Sequence, residues 1–75
     1  MKGTVRVHVN GVGSGTKVTL FIYQFMASGL TSPEYTNSEG DAYFDVDTDS
    51  GADAEVYVGG QLKISRAPIK ETYYC

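Results

Sequence analysis

The sequence predicts an all-β fold, with six or seven short strands arranged as an antiparallel sandwich or small barrel. Three observations carry this expectation. Apolar residues recur with a period of two, the mark of half-buried strands. Clusters of Gly, Asn, Asp and Ser break the pattern about every eight to twelve residues. No stretch shows the helical period, a heptad or an internal repeat. A single curled sheet closed by dimerisation is the alternative, but it would leave one face wet and its edges unprotected.

Each element follows from its local pattern. From Thr4 to Val9, Val5, Val7 and Val9 point one way and Thr4, Arg6 and His8 the other. Asn10 and the glycine-rich run Gly11–Gly15 make a loop, because glycine accepts positive φ at little cost. A second strand from Lys17 to about Met26 sets Val18, Leu20 and Ile22 on one face and Thr19, Phe21, Tyr23 and Phe25 on the other. Both faces are apolar, which marks a central strand or half of an interaction surface. A loop around Ala27-Ser28-Gly29 leads to an extended stretch near Pro33, suited to an edge because proline donates nothing to a ladder. Ser38-Glu39-Gly40 reads as a turn. Asp41 to Asp47 then alternates, with Ala42, Phe44 and Val46 inward and Asp41, Tyr43, Asp45 and Asp47 outward. After a polar loop, Ala54, Val56 and Val58 form the inner face of another strand, with Glu55 and Tyr57 outside. Gly59-Gly60 fits a two-residue hairpin turn, and its partner strand carries Leu62 and Ile64 inward. Thr72 to Cys75 adds a short strand.

Size and composition bound the function. Seventy-five residues make one domain over 1–75, with 68–75 as a short C-terminal tail. The apolar share of 41% and charged share of 20% suit a folded globule rather than a disordered tail. A net charge of −3 argues against gripping nucleic-acid phosphates. No apolar run reaches the ~18 residues that a membrane-spanning helix needs. The start of the chain has no apolar core of a secretory signal, so a complete chain of this kind is expected in the cytoplasm. One cysteine, Cys75, provides neither an internal disulfide nor a thiolate cage, and it reads as a free thiol.

The order of the words adds to their period. Gly3-Thr4-Val5-Arg6-Val7 is followed by Lys17-Val18-Thr19-Leu20, then by Thr36-Asn37-Ser38-Glu39-Gly40-Asp41-Ala42-Tyr43-Phe44-Asp45-Val46, and finally by Ala54-Glu55-Val56-Tyr57-Val58-Gly59-Gly60. Over residues 3 to 62 this resembles the carboxypeptidase regulatory-like, transthyretin-like (prealbumin-like) domains. The resemblance implies a Greek-key sandwich of about seven strands, used as an accessory, adhesive or interaction module and usually without catalysis. Such domains usually sit within longer, often exported chains. Here the usual glycine-tyrosine pair before the last core strand is replaced by Gly51-Ala52-Asp53-Ala54-Glu55. The family has no common active site, so no binding residue carries over.

Two constellations invite a functional reading. Residues 34–55 hold eight of the nine acids and no lysine or arginine, a formal charge of −8 against +5 for the rest. Within it, Asp45, Asp47 and Asp49 are candidate calcium ligands, since carboxylates suit a hard cation. The calcium-loop register fails, with Ser50 at the sixth position and Val56 at the twelfth, where glycine and a bidentate glutamate belong. A solvated acidic surface is the competing reading, and charge segregation would also steer a cationic partner.

The second constellation is aromatic. With the branched aliphatics inward, Phe21, Tyr23, Phe25, Tyr43 and Tyr57 share the outward parity. Together on one sheet face they would form a patch for a protein partner, another copy of the chain or the apolar face of a sugar. The alternative is that Ile69, Tyr73 and Tyr74 of the tail fold over these rings and bury them as core. The remaining motifs carry no chemistry. The glycine loop before Lys17 has the spacing of neither phosphate cradle, Ser14 lacks the glycine of a nucleophile elbow, and His8 reads as a surface residue without a partner nearby in sequence.

The expectation is a non-catalytic interaction module, acting on a protein partner or forming a homodimer, without nucleic acid, a membrane span or an obligatory cofactor. A cation-stabilised adhesive or glycan-binding domain is the alternative, and an enzyme is the third class.

Overall fold

The computed structural model describes residues 2–25 and 28–75. The expected end of the second strand at Met26 and the loop residue Ala27 lie outside the described residues. Eight strands follow in order: β1 (Lys2–His8), β2 (Lys17–Tyr23), β3 (Gly29–Leu30), β4 (Glu34–Tyr35), β5 (Asp41–Asp47), β6 (Asp53–Val58), β7 (Gln61–Pro68) and β8 (Thr72–Tyr74). The extended stretch near Pro33 resolves into the two-residue strands β3 and β4. Among the described residues there is no helix, and so none long and apolar enough to cross a membrane.

The strands form two sheets, one ordered β5-β1-β8 and the other β3-β2-β6-β7, with β4 also paired to β2. This is a small all-β sandwich. Its core holds Val5, Val7 and Val9 from the first strand and its extension, Val18, Leu20 and Ile22 from β2, and Ala42, Phe44 and Val46 from β5. Ala52, Ala54, Val56 and Tyr73 complete it. Alternation therefore placed three aliphatic sets against one another across the gap between the sheets.

Three differences from the sequence expectation have identifiable causes. Leu62 is 48% exposed rather than inward. On β6 the step from Val56 to Tyr57 is one residue, but on β7 the matching step from Ile64 to Leu62 is two, so Lys63 is an extra residue in a β-bulge. The bulge keeps Ile64 beside Val56 and turns Leu62 outward beside Tyr57. Second, β2 stops at Tyr23, and Ser28 Oγ accepts from the Gln24 N–H and donates to the Gln24 carbonyl, both at 3.0 Å. Third, the sandwich is not wholly antiparallel, because β8 lies parallel to β1 with Val7 opposite Tyr73.

The turn before β5 is tied down by side chains. Thr36 is buried; its Oγ1 accepts from the Thr16 N–H at 3.0 Å and donates to the Gly13 carbonyl at 2.7 Å. Asn37 Oδ1 accepts from the N–H groups of Glu39 and Asp41 at 2.9 and 3.1 Å. Gly40 sits at φ +83°, and a Cβ there would lie 2.7 Å from the Val9 carbonyl oxygen and 3.2 Å from that of Val12. Only glycine meets both conditions. At Gly59-Gly60, φ values of +59° and +84° make the two-residue hairpin that the sequence predicts.

Candidate functional site

The outer face of the β2–β6 sheet is built by parity and register together. On β2, Lys17, Thr19, Phe21 and Tyr23 alternate with the core residues, and antiparallel pairing sets Tyr57 opposite Thr19, Glu55 opposite Phe21 and Asp53 opposite Tyr23. Directly paired residues share a face. The same rule adds Leu30 beside Phe21, Tyr35 beside Lys17 and Leu62 beside Tyr57. Three of the five expected aromatic residues, Phe21, Tyr23 and Tyr57, therefore lie on one face, and the structure adds neighbours that sequence reasoning missed.

The cluster is held by specific contacts. The Phe21 and Tyr23 rings are 4.6 Å apart between centroids at a 43° tilt. Glu55 Oε1 accepts from the hydroxyls of both Tyr23 and Tyr57, at 2.8 and 3.1 Å. Arg66 lies over the Tyr23 ring at 4.2 Å, while its Nε donates to Asp53 Oδ2 at 2.9 Å. The hydrogen bond to Glu55 is the main reason that both phenols are held above their usual pKa, with desolvation adding to it. Beside this cluster runs a groove of about 560 Å³, lined by Thr19, Phe21, Tyr57, Leu30, Pro33 and Lys17. Its volume lies within the range of pockets that seat a small ligand or a partner's side chain.

Two expected members stand elsewhere. Tyr43 is on β5, whose register with β1 puts it opposite Arg6 on the outer face of the other sheet. Parity distinguishes inside from outside, but it does not say which of two outsides. Phe25 lies past the end of β2, 92% exposed, and makes no ring contact among the described residues. The tail does not cover the aromatic face. Tyr73 is fully buried between the sheets, Ile69 packs against the same core, and Tyr74 is exposed on the outer face of the β1 sheet. There the Arg6 guanidinium donates to the Tyr74 hydroxyl at 3.1 Å. Burial of Tyr73 pushes its phenol above the usual range.

The acidic candidates are not gathered. Asp45 and Asp47 point outward from β5, and Asp45 Oδ1 accepts from Thr4 Oγ1 at 3.3 Å. Asp49 lies in the following loop, where its N–H donates to Gln24 Oε1 at 3.1 Å. Among the described residues no three His, Cys, Asp or Glu side chains come together as a metal site.

One polar pair was invisible in the sequence. His8 Nδ1 lies 2.7 Å from Asp41 Oδ1, with Asp41 only 7% exposed. The residues are separated by 33 positions but sit directly opposite in the β1–β5 ladder. Their shared outward parity was legible; the strand pairing was not. Cys75 is a free thiol, partly packed against the core, and burial raises its pKa.

No family model, curated protein or solved structure matches the chain.

Proposed function

We propose that the chain is a non-catalytic interaction module, transthyretin-like in design, that seats a protein partner or a second copy on the outer face of the β2–β6 sheet. The supporting observation is that Phe21, Tyr23 and Tyr57 form a clamped cluster beside an open groove while the tail passes elsewhere. Glu55 and Arg66 restrain the tyrosine rings before anything binds, so less side-chain freedom is lost on docking. A hydroxyl-bearing ring also tolerates water when the face is free. A standard interface covers about 800 Å² per partner, a large share of the 4489 Å² accessible surface.

Light scattering across micromolar to millimolar concentration tests the self-association arm. A dimer that dissociates in Phe21→Ala and Tyr57→Ala supports it, and a strict monomer at every concentration eliminates the homodimer. A glycan reading competes for the same face, because Glu55 offers a carboxylate between two phenols. Tyrosine fluorescence that stays unchanged with millimolar oligosaccharides removes it. Turnover of generic ester or glycoside substrates would contradict the non-catalytic assignment.

A further inference from the structure

The edge strands of the two sheets are not all protected alike. The edge strand β7 is bulged twice and ends in Pro68, β3 and β4 have two residues each, and β8 has three. Short, bulged or proline-bearing edges resist pairing with another strand. In contrast, β5 has seven residues in unbroken register with β1, and among the described residues no strand pairs along its full other side.

The direction of its backbone groups follows from the ladder. The Arg6 N–H donates to the Glu71 carbonyl at 2.8 Å, so residue 6 addresses the β8 side of β1. Neighbours along a strand address opposite sides, so Val5 and Val7 address β5 and bond with their partners Phe44 and Ala42. The backbone groups of Tyr43, Asp45 and Asp47 therefore face away from β1. The Asp41 end is covered, since Asn37 donates to the Asp41 carbonyl at 2.8 Å and accepts from the Asp41 N–H at 3.1 Å, and β4 also packs close to β5 without pairing to it. A slot of about 230 Å³ lies alongside the open part, between Asp45–Asp47 and the Gly29–Leu30 edge, with Ile22 and Val46 among its lining.

We infer that the open edge of β5, from Tyr43 to Asp47, accepts an extended segment of a partner protein that carries Lys or Arg at alternate positions and small aliphatic residues between them. Side chains opposite Tyr43, Asp45 and Asp47 would stand on the acidic outer face, and those opposite Phe44 and Val46 would turn toward the slot. Lys2 stands opposite Asp47 on β1, but among the described residues it makes no ion pair. The surrounding segment, residues 34–55, has no basic residue of its own. A second β5 is a poor occupant, because antiparallel pairing of two such edges brings carboxylates opposite or diagonal to carboxylates. Main-chain bonds would supply affinity, and the charge alternation would select the partner. The β5 edge belongs to the other sheet and meets the aromatic groove only at Leu30 and Thr31, so either assignment can fail alone.

The test uses a capped heptapeptide alternating lysine and valine, with a second peptide of the same residues in blocks as its control. Amide hydrogen exchange is read on the unmodified chain. Saturable binding of the alternating peptide that weakens with salt and slows exchange at Tyr43, Asp45 and Asp47 supports the inference. Asp45→Pro removes an edge N–H that β1 does not use, so it should weaken binding about tenfold or more relative to Asp45→Asn. Equal binding of the block-ordered peptide, or exchange slowed along Lys17–Tyr23 instead, overturns it. Should Asp45→Pro fail to fold, the exchange pattern of the unmodified chain decides alone.

Discussion

His8 and Asp41 face each other across the β1–β5 ladder with 2.7 Å between Nδ1 and Oδ1, and the carboxylate is almost wholly buried. A buried carboxylate that loses its partner carries an uncompensated desolvation cost. His8→Ala should therefore destabilise the fold by about 1–3 kcal/mol, read as a lower urea midpoint. Asp41→Asn keeps the shape and a polar partner, so it should cost less than His8→Ala. Equal midpoints for His8→Ala and the parent chain would show that the contact contributes nothing.

Gly40 makes a sharper prediction because two constraints coincide there. Gly40→Ala forces positive φ on an L-residue and drives a Cβ to within 2.7 Å of a backbone oxygen. A loss of about 2–4 kcal/mol is expected from strain and contact together. Gly59→Ala has a similar φ but nothing within 4 Å, so about 1 kcal/mol is expected. Thermal unfolding of the two variants should separate them clearly.

Alkaline pH tests the Glu55 clamp. Tyr23 and Tyr57 have folded-state pKa values raised chiefly by hydrogen bonding to Glu55. The native state thus keeps protons that the unfolded chain gives up. Their stabilising contribution is complete below the unfolded tyrosine pKa of about 10 and disappears as pH rises through the higher folded values. In Glu55→Gln the tyrosinate absorbance should appear at lower pH, and the fall in midpoint between neutral and alkaline pH should shrink. A residual fall should persist from Tyr73, whose shift comes first from burial.

The bulge on β7 yields a paired contrast. Ile64 packs against the core while Leu62 faces outward. Ile64→Ala should cost about 2 kcal/mol or more, whereas Leu62→Ala should stay within about 0.5 kcal/mol, as surface changes usually do. Denaturant melts that rank Leu62 above Ile64 would contradict the register.

That contrast also marks how far the sequence was legible. Valine alternation placed Val5, Val7, Val18, Leu20 and Phe44 in one core, because burial forces a period of two on any strand with one dry face. Leu62 broke the rule because a bulge adds a residue without leaving a residue type that signals it. Tyr43 was assigned to the wrong surface for a different reason, since parity carries no information about which sheet a strand joins. Tyr73 enters the sequence reading both as part of a short last strand and, in the alternative, as a cover for the aromatic rings. It is core, and a three-residue strand shows too little alternation to reveal its direction. At the site, the spacing of Glu55 and Tyr57 put carboxylate and phenol on one side, and this could be read in advance. The approach of Tyr23 to the same oxygen depended on the β2–β6 pairing.

The connectivity of β1 has a kinetic consequence. Both of its partners, Asp41–Asp47 and Thr72–Tyr74, are remote along the chain, so no hairpin can nucleate its sheet. Each pairing must close a long loop before any contact compensates for the lost entropy. The β6–β7 hairpin, with its two-residue glycine turn, can form early, while β1 must wait for distant segments to arrive. Refolding should accordingly take milliseconds to seconds, about the pace of other small sandwiches, and the hairpin should gain amide protection before the first strand does.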